Sequence, residues 1–245
     1  MTENSMQPHL HLSKVHRFCI LCGNPDRVSK ISKFLVDSVN VAKNRGLIAY
    51  EGKTPDGKIP ISVLTTGMGC PSTAIIVEEA FRAGGEFFIR IGSCGALKPS
   101  LKIGDIIIPY AAVRDEYTSL NLAPKEFPAV ASPEMFQQLC HSAEKLGFNY
   151  HPGIVWTTDI YYSSVQDLFQ KWANCGANSV EMESGFLFIF GSVKKVKTGT
   201  ILVVDGNLAT GTQKSEGSLG DVDSIFQQGE EAVIKITLQA IDELA

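Results

Sequence analysis

RFCILCGNPDR, residues 17–27, predicts a strand, a tight turn and the start of a helix in immediate succession. The apolar run Phe18–Leu21 is short and rich in residues that favour strands. Gly23 follows it, and Pro25 stands where the first turn of a helix accepts proline. A strand that passes directly into a helix is the repeating unit of α/β folds, in which helices cover a largely parallel or mixed sheet.

The same alternation continues along the chain. Further strands are predicted over Ile59–Leu64, Phe87–Ile91, Asp105–Ile108, Gly153–Thr157 and Gly199–Val204. Helices are predicted over Pro25–Val36, Pro71–Gly84, Pro133–Leu146, Val165–Cys175, Glu183–Val193 and Ile225–Leu244. No Gly/Ser linker, internal repeat or break in composition divides the sequence. We therefore expect an α/β fold with a central mixed β-sheet flanked by helices, in a single domain spanning residues 1–245.

Composition excludes several classes of protein. The chain has 245 residues, of which 44% are hydrophobic and 20% charged, as is typical of globular proteins. Its formal charge of −4 argues against a nucleic-acid partner, because phosphodiester binding normally needs a basic face. No apolar run is long enough for a membrane span, and Met1–Pro8 lacks the hydrophobic segment of a secretory signal. We therefore expect no membrane partner and a cytoplasmic location.

The six cysteines are too scattered for a disulfide framework, and we expect them to be reduced thiols. Cys19 and Cys22 form a C-x-x-C pair, which could indicate a metal or redox site. Residues three apart in a strand point to opposite faces, so these two sulfurs could not share an ion. We expect no metal site and no cofactor.

One segment departs from the alternation. Residues 206–223, GNLATGTQKSEGSLGDVD, are rich in Gly, Ser and Thr and have almost no apolar periodicity. Long loops within compact chains are usually functional or disordered. We interpret this segment as a mobile lid beside a binding site.

Two glycine-containing turns are candidate anion sites. Gly23 precedes a helix N-terminus, whose backbone N–H groups suit an anion, and an anion would offset the unfavourable position of Arg27 in the first turn. Arg90 lies within an apolar strand that ends in Gly92–Gly95. A guanidinium, a hydroxyl and glycine N–H groups could together form an oxyanion site. The alternatives are an ordinary turn and a buried arginine–carboxylate pair.

Three more segments hold candidate ligand-binding residues. Met68 lies between two glycines, in a tight turn or at a point of close approach to a ligand. Glu181 and Glu183 alternate along a short extended run, where a carboxylate could accept two hydrogen bonds from vicinal hydroxyls or simply complement a helix dipole. Asp205 ends an apolar strand at the sheet edge where ligands bind in α/β folds, and could act as a general acid or begin a turn.

Together these segments resemble the nucleoside phosphorylase family of trimeric-to-hexameric purine nucleoside phosphorylases and uridine phosphorylases. The family motifs G-D-P-x-R, R-x-G-[ST]-x-G and E-M-E are matched, in order, by Gly23–Arg27, Arg90–Gly95 and Glu181–Glu183. His9–Lys14 resembles the family's N-terminal H-L-x-x-S-K segment. The resemblance extends over nearly the whole chain.

The resemblance implies phosphorolysis of a nucleoside, with inorganic phosphate as co-substrate and no cofactor. The phosphate site it implies consists of Gly23, Arg27, Arg45, Arg90 and Ser93. The nucleoside site it implies consists of His9, Met68, Cys94, Gly95, Tyr161, Val180, Glu181, Met182, Glu183 and Asp205. In that site Glu183 would bind the ribose 2′- and 3′-hydroxyls, and Tyr161 would line the base pocket. Asp205 would protonate or hydrogen-bond purine N7, and is the implied catalytic residue together with Arg90.

Arg45 and His9 resemble residues that family members lend to a neighbouring subunit, for its phosphate and its sugar 5′-hydroxyl. The resemblance therefore implies a homo-oligomer with a dimer as the minimal active unit and a hexamer as the expected assembly.

The identity of the base rests on conflicting features. Residues 118–129, TSLNLAPKEFPA, resemble the uridine phosphorylases. Those enzymes carry an insertion with a Gln and an Arg that bind the uracil edge, and no Gln-x-Arg pair follows Tyr161 here. Asp205 and Ser93–Gly95 resemble the purine type, so we expect purine ribonucleosides. Uridine phosphorylase, methylthioadenosine phosphorylase, a hydrolase and a non-catalytic nucleoside-binding protein are the alternatives.

Two departures from the family pattern are apparent. Asn24 replaces the usual aspartate of the first motif. Residues 206–223 lack an obvious counterpart of the arginine that assists the acid in many bacterial purine enzymes.

Overall fold

A mixed β-sheet runs through the computed structural model, which describes residues 5–162, 168–213 and 220–245. The strands are β1 Phe18–Cys22, β2 Val36–Asn44, β3 Leu47–Lys53, β4 Pro60–Thr65, β5 Phe87–Ala96, β6 Ile106–Asp115, β7 Ala129–Val130, β8 His151–Thr158, β9 Ala177–Glu181, β10 Lys197–Asn207 and β11 Thr212–Gln213. The helices are α1 Pro25–Ser32, α2 Cys70–Arg82, α3 Pro133–Lys145, α4 Leu168–Asn174, α5 Ser184–Lys194 and α6 Gly220–Leu244.

The sheet consists of an open half and a closed ring. In the open half, the strands follow the order β2, β3, β4, β1 and β5. The ring runs from β5 through β10, β6, β8 and β9 and returns to β5. β4, β1, β5 and β10 are parallel neighbours, so their carboxyl ends meet at one edge of the sheet. The predicted mixed sheet is confirmed.

Helices cover both faces of the sheet. Successive side chains of its central strands point to opposite sides, so each face has an apolar core that a layer of helices buries. Phe18 and Ile20 of β1 pack in one core with α1, α3 and α6, whereas Cys19 and Leu21 pack in another with α2 and α5. Cys22 lies in the first core, so the two cysteines of the C-x-x-C pair face apart, as predicted. Burial raises the pKa of the Cys22 thiol to about 12.

β5 changes neighbours along its length. Its first residues, Phe87–Arg90, pair with β1, and its last two, Gly95 and Ala96, pair with β9. Between these two pairings the sheet opens beside residues 91–94 of β5. A point where strands diverge at the carboxyl edge is the usual binding crevice of an α/β fold.

The hairpin of β2 and β3 was not predicted, and the first helix was predicted too long. α1 ends at Ser32, and Val36 begins β2 rather than ending the helix. A two-residue turn, Arg45–Gly46, joins the strands, with φ of 52° at Arg45 and 78° at Gly46. Positive φ at both turn residues is typical of a type I′ turn, where Asn-Gly rather than Arg-Gly is the common sequence.

The predicted loop over residues 206–223 is shorter in the structure. Gly206 and Asn207 end β10 and pair with β11, and α6 begins at Gly220 rather than near Ile225. The middle of the predicted lid, residues 214–219, lies outside the described residues. Among the described helices none is long and apolar enough to cross a membrane.

Candidate active site at the carboxyl edge of the sheet

Two glycine turns and the segment Val180–Glu183 meet where β1, β4 and β5 end. A Cβ added at Gly23 would lie 3.1 Å from the carbonyl oxygen of Gly67, so the turns after β1 and β4 are in close contact. The backbone N–H of Gly69 donates to Glu183 Oε1 at 2.7 Å. Segments more than a hundred residues apart therefore form one surface.

Arg90 lies at the centre of this surface. Its side chain is buried, its Nε donates to Glu181 Oε2 at 3.1 Å, and its Nη2 pairs with Glu183. Gly92 makes room for it, since a Cβ there would lie 2.7 Å from the guanidinium carbon. Burial lowers the pKa of Arg90, but the Glu183 and Glu181 carboxylates outweigh it and hold that pKa above its ordinary value. The sequence suggested either an anion site or an arginine–carboxylate pair here, and the structure contains the pair.

The Glu181 carboxylate is saturated with donors from the protein. It accepts hydrogen bonds from the backbone N–H groups of Glu183 and Ser184 and from the hydroxyls of Ser184 and Thr157. With the Arg90 bond these leave its side chain 0% exposed. This carboxylate holds Arg90 and the start of α5, and its assignment to the nucleoside site stays a prediction.

Glu183 has a different environment. It occupies the N-cap position of α5 rather than an extended run, with φ −140°. Burial raises the pKa of its carboxyl group, and the Arg90 guanidinium opposes this shift. A carboxylate has about four acceptor sites, so the contacts with Gly69 and Arg90 leave capacity for a further ligand. Beside it Met182 and Val180 are half-buried and Met68 is 83% exposed.

Arg27 lies in the first turn of α1 and is also buried. Its Nε donates to Glu230 Oε1 of α6 at 2.6 Å, and Lys30 Nζ donates to the other oxygen at 3.0 Å. The cost of a cation at a helix N-terminus is thus offset by a carboxylate of the protein. Asn24 caps α1 by accepting from the Asp26 N–H at 2.8 Å, a role that Asn and Asp fill equally well.

The two arginines converge on the end of β1. The guanidinium groups of Arg27 and Arg90 both lie close enough to the Cys22 sulfur to lower the pKa of that thiol, against the larger effect of burial. Ser93, half-buried, follows Arg90 along β5 where the sheet is open. Two positive groups therefore act on the end of β1, and a hydroxyl follows along the neighbouring strand.

Asp205 lies at a β-bulge. Val204 pairs with Cys94 of β5 and Gly206 pairs with Gly95, so Asp205 is the extra residue between them. Bulges commonly redirect a side chain beside a functional site. The Asp205 carboxylate is near enough to Cys94 to contribute to the raised pKa of its thiol, which burial mainly causes. Cys94 itself is buried with Ile107, and its place in the nucleoside site stays a prediction.

His9 lies beside the β2–β3 turn that carries Arg45. His9 Nδ1 is 2.7 Å from Glu79 Oε1, and Asn44 donates to the carbonyl oxygen of His9 at 3.0 Å. Arg45 follows Asn44 at the tip of the exposed β2–β3 turn. Among the described residues, no hydrogen bond or ion pair joins His9 or Arg45 to Arg27, Arg90 or Glu183. These two predicted residues are thus held near each other through Asn44, and a Cβ added at Gly67 would lie 3.9 Å from Leu47 Cδ2, so the same hairpin lies beside the turn after β4.

Tyr161 follows β8 and is 74% exposed, with its ring centroid 4.9 Å from that of Tyr162. Residues 163–167, which include the start of the predicted helix Val165–Cys175, lie outside the described residues. Two contributors to the site were missed, Thr157 and Glu230, and neither carries a local pattern that distinguishes it.

Comparison with known proteins gives a consistent result. The family model described as the phosphorylase superfamily matches residues 17–242. Guanosine phosphorylase from Halorubrum lacusprofundi is 34% identical over 244 residues, covering 97% of this chain and 99% of that protein. Uridine phosphorylase from Treponema pallidum is 35% identical over 243 residues, covering 95% and 91%. The crystal structure of purine nucleoside phosphorylase from Toxoplasma gondii in complex with immucillin-H superposes with a TM-score of 0.89 and 31% identity, covering 100% and 98%.

Proposed function

From the premise that this chain belongs to the phosphorylase superfamily, we propose that it cleaves purine ribonucleosides with inorganic phosphate. The products are the free base and ribose 1-phosphate. Nucleoside phosphorylase activity follows from the family, whereas the choice of purine is the finer proposal, since guanosine, purine and uridine enzymes all occur among the relatives.

One observation supports the proposal: Arg27 and Arg90, which are 63 positions apart in the sequence, both act electrostatically on Cys22 at the end of β1, and Arg90 pairs with Glu183. Two guanidinium groups near one strand end suit a dianion such as phosphate. Arg27 is held by Glu230 through its Nε–H, which leaves four further N–H donors, whereas Arg90 uses its Nε–H for Glu181 and an Nη2 donor for Glu183, which leaves three. The arginines are therefore oriented by the protein and retain the capacity to bind an anion.

The reaction is a displacement at the anomeric carbon. A phosphate oxygen forms a bond to C1′ as the bond from C1′ to the base nitrogen breaks, so positive charge develops on the ribose and negative charge on the base. Phosphate held below the sugar by Arg27 and Arg90 both attacks and stabilises the ribosyl charge. Glu183 accepts hydrogen bonds from the 2′- and 3′-hydroxyls and fixes the sugar over the phosphate. No covalent bond to the enzyme is required.

Asp205 supports the purine assignment. It lies at the bulge of β10, beside Gly95 and Cys94 near the carboxyl end of β5, and bulges often occur next to functional sites. In this proposal it donates a proton or hydrogen bond to N7 of the departing purine, where the electrons of the broken bond accumulate. Uracil has no equivalent nitrogen. The competing assignment, uridine, is favoured by residues 118–129 and by the uridine phosphorylases among the relatives.

The site is proposed to be completed by a second subunit in a homo-oligomer, with a dimer as the active unit within a hexamer. The joint placement of half-buried His9 and exposed Arg45, linked through Asn44, supports this arrangement. Mixing Arg45→Ala with Glu183→Gln subunits provides a test. If Arg45 serves the neighbour, random reassociation of the two impaired variants restores about a quarter of the sites to wild-type composition. No recovery after verified subunit exchange would exclude the shared site.

The substrate is tested by incubating the protein with inosine, guanosine, adenosine, methylthioadenosine and uridine, each with and without phosphate. We expect phosphate-dependent release of purine bases, with ribose 1-phosphate as co-product. Faster cleavage of uridine would replace the purine assignment, and base release without phosphate would indicate a hydrolase. Nucleoside binding without any cleavage would indicate a binding protein.

A further inference from the structure

We propose that Cys70, Glu116 and Asp159 form a binding site for one zinc ion, beside the nucleoside site but distinct from it. Cys70 is the first residue of α2, Glu116 follows β6, and Asp159 follows β8. One potential ligand atom from each lies within 4.8 Å of the others. In a tetrahedral zinc site with bonds of about 2.0–2.3 Å, ligand atoms are roughly 3.5 Å apart, so side-chain shifts of about 1 Å bring these three into range.

An independent observation points to a missing cation. Glu116 is only 2% exposed, yet its Oε1 has no hydrogen-bond partner among the described residues. Its other oxygen accepts from the Ser119 N–H at 2.9 Å. Within that same part of the chain, no lysine, arginine or histidine pairs with Glu116 or Asp159. A buried carboxylate oxygen without donor or counter-charge is costly, and a cation bound by it removes that cost.

The surrounding charge also favours a cation. The carboxylates of Glu116, Glu181 and Glu183 are all near enough to act electrostatically on the Cys70 sulfur. Arg90 pairs with Glu181 and Glu183, which leaves the charge of Glu116 unbalanced in the described residues. Asp159 is exposed, so an ion has a path from solvent.

The ligand types select the metal. Thiolate sulfur binds zinc far better than it binds magnesium or calcium, which require oxygen ligands, and carboxylates are common zinc ligands. Three protein ligands leave a fourth position for water. Coordination displaces the thiol proton, which is released to solvent, so the net reaction is binding of one zinc ion with loss of one proton.

Zinc would alter the neighbouring sugar site. Cys70 Sγ donates to the Met182 carbonyl oxygen at 3.1 Å, and the preceding Gly69 N–H binds Glu183. Zinc coordination removes the thiol proton, so the hydrogen bond from Cys70 to the Met182 carbonyl oxygen is lost. A shift of Cys70 toward the ion also displaces Gly69 and lengthens its hydrogen bond to Glu183. We therefore expect zinc to weaken nucleoside binding. This consequence rests on the proposed function, whereas zinc binding itself does not.

Calorimetric titration of zinc into the untagged protein, without nucleoside, tests the site. Cys70→Ser preserves size and the hydrogen-bond donor to Met182 but removes the sulfur, Glu116→Gln removes the buried charge, and Cys175→Ser changes an exposed thiol as a control. We expect one ion per protomer in the wild type and in Cys175→Ser, with at least about tenfold weaker binding in the other two. Circular dichroism checks that all variants fold. Unchanged affinity in folded Cys70→Ser, or no binding in the wild type, would overturn the proposal.

Cobalt substitution gives a second readout. A thiolate-to-cobalt charge-transfer band is expected in the wild type and in Cys175→Ser, and its absence is expected in Cys70→Ser. Cobalt bound without that band in the wild type would mean that sulfur is not a ligand, which contradicts the site. Inhibition is then measured with whichever nucleoside is cleaved, so a wrong substrate assignment leaves the binding result intact.

Discussion

The substitution Glu181→Gln is expected to reduce stability far more than substrate affinity, and Glu183→Gln is expected to do the reverse. The two carboxylates are two positions apart and both contact Arg90. Glu181 is closed off by five donor groups of the protein, whereas Glu183 borders the crevice. The pair therefore separates a positioning residue from a ligand-binding one on the same guanidinium.

The magnitude follows from the contacts. Breaking a buried ion pair by removing one charge costs about 3–5 kcal/mol. Since Arg90 keeps Glu183 and the glutamine oxygen keeps some hydrogen bonds, we expect ~3 kcal/mol for Glu181→Gln. In a chain of this size 1 kcal/mol shifts Tm by about 2–4 °C, so Tm should fall by roughly 6–12 °C.

For Glu183→Gln we expect a smaller loss of stability, because burial already raises the pKa of its carboxyl group and makes the charge costly. Loss of charged hydrogen bonds to the sugar, worth about 1.5–3 kcal/mol, should lower kcat/KM for the nucleoside about tenfold to a hundredfold. The assays are thermal unfolding at fixed protomer concentration and steady-state phosphorolysis. A Glu181→Gln protein with unchanged Tm and a nucleoside KM raised as much as in Glu183→Gln would refute the assignment.

Three further outcomes can be measured. Gly92→Ala places a Cβ 2.7 Å from the Arg90 guanidinium carbon and should raise the KM for phosphate at least about tenfold, with a smaller effect on nucleoside KM. Asp205→Asn should lower kcat for purine nucleosides at least about tenfold without changing phosphate KM; an unchanged kcat would remove it from the mechanism. The Arg27 and Lys30 bonds outweigh burial and hold the pKa of Glu230 below its ordinary value of 4.5, so its contribution to stability is present above that pH and lost as pH falls below it. In urea unfolding, the stability difference between wild type and Glu230→Gln should therefore shrink on acidification, and a pH-independent difference would contradict the ion pair.

The first residues of three helices could be predicted from the prolines at their starts. α1 begins at Pro25 and α3 at Pro133, as predicted, and α2 begins one residue before Pro71. Proline sets φ for the first turn and needs no hydrogen-bond partner there, so these boundaries depend on neighbouring residues alone.

Strand ends depended on partners elsewhere in the chain. Gly92–Gly95 read as a turn, yet these residues continue β5 because β10 pairs with them across more than a hundred positions. The β2–β3 hairpin was missed because its exposed strand faces show little apolar alternation and its turn has Arg45 where asparagine is usual.

The same limit applies to the site. Sequence order identified Arg27, Arg90 and the two glutamates, but it could not tell which glutamate the protein saturates. That difference is set by Thr157, which donates to Glu181 from β8. Likewise, the partner of Arg27 is Glu230, which lies 203 positions away on α6. In the sequence, Glu230 is one of several polar residues of that helix and has the pattern of a solvent-exposed side chain.

The closed ring of strands has a consequence for synthesis on the ribosome. β10 joins β5 to β6, and it is not complete until residue 207 has been made. Until then a nascent chain exposes the apolar edge of β5, which templates pairing with other chains. A truncation that ends before Lys197 should therefore aggregate during translation, whereas chains carrying β10 can close the ring upon themselves.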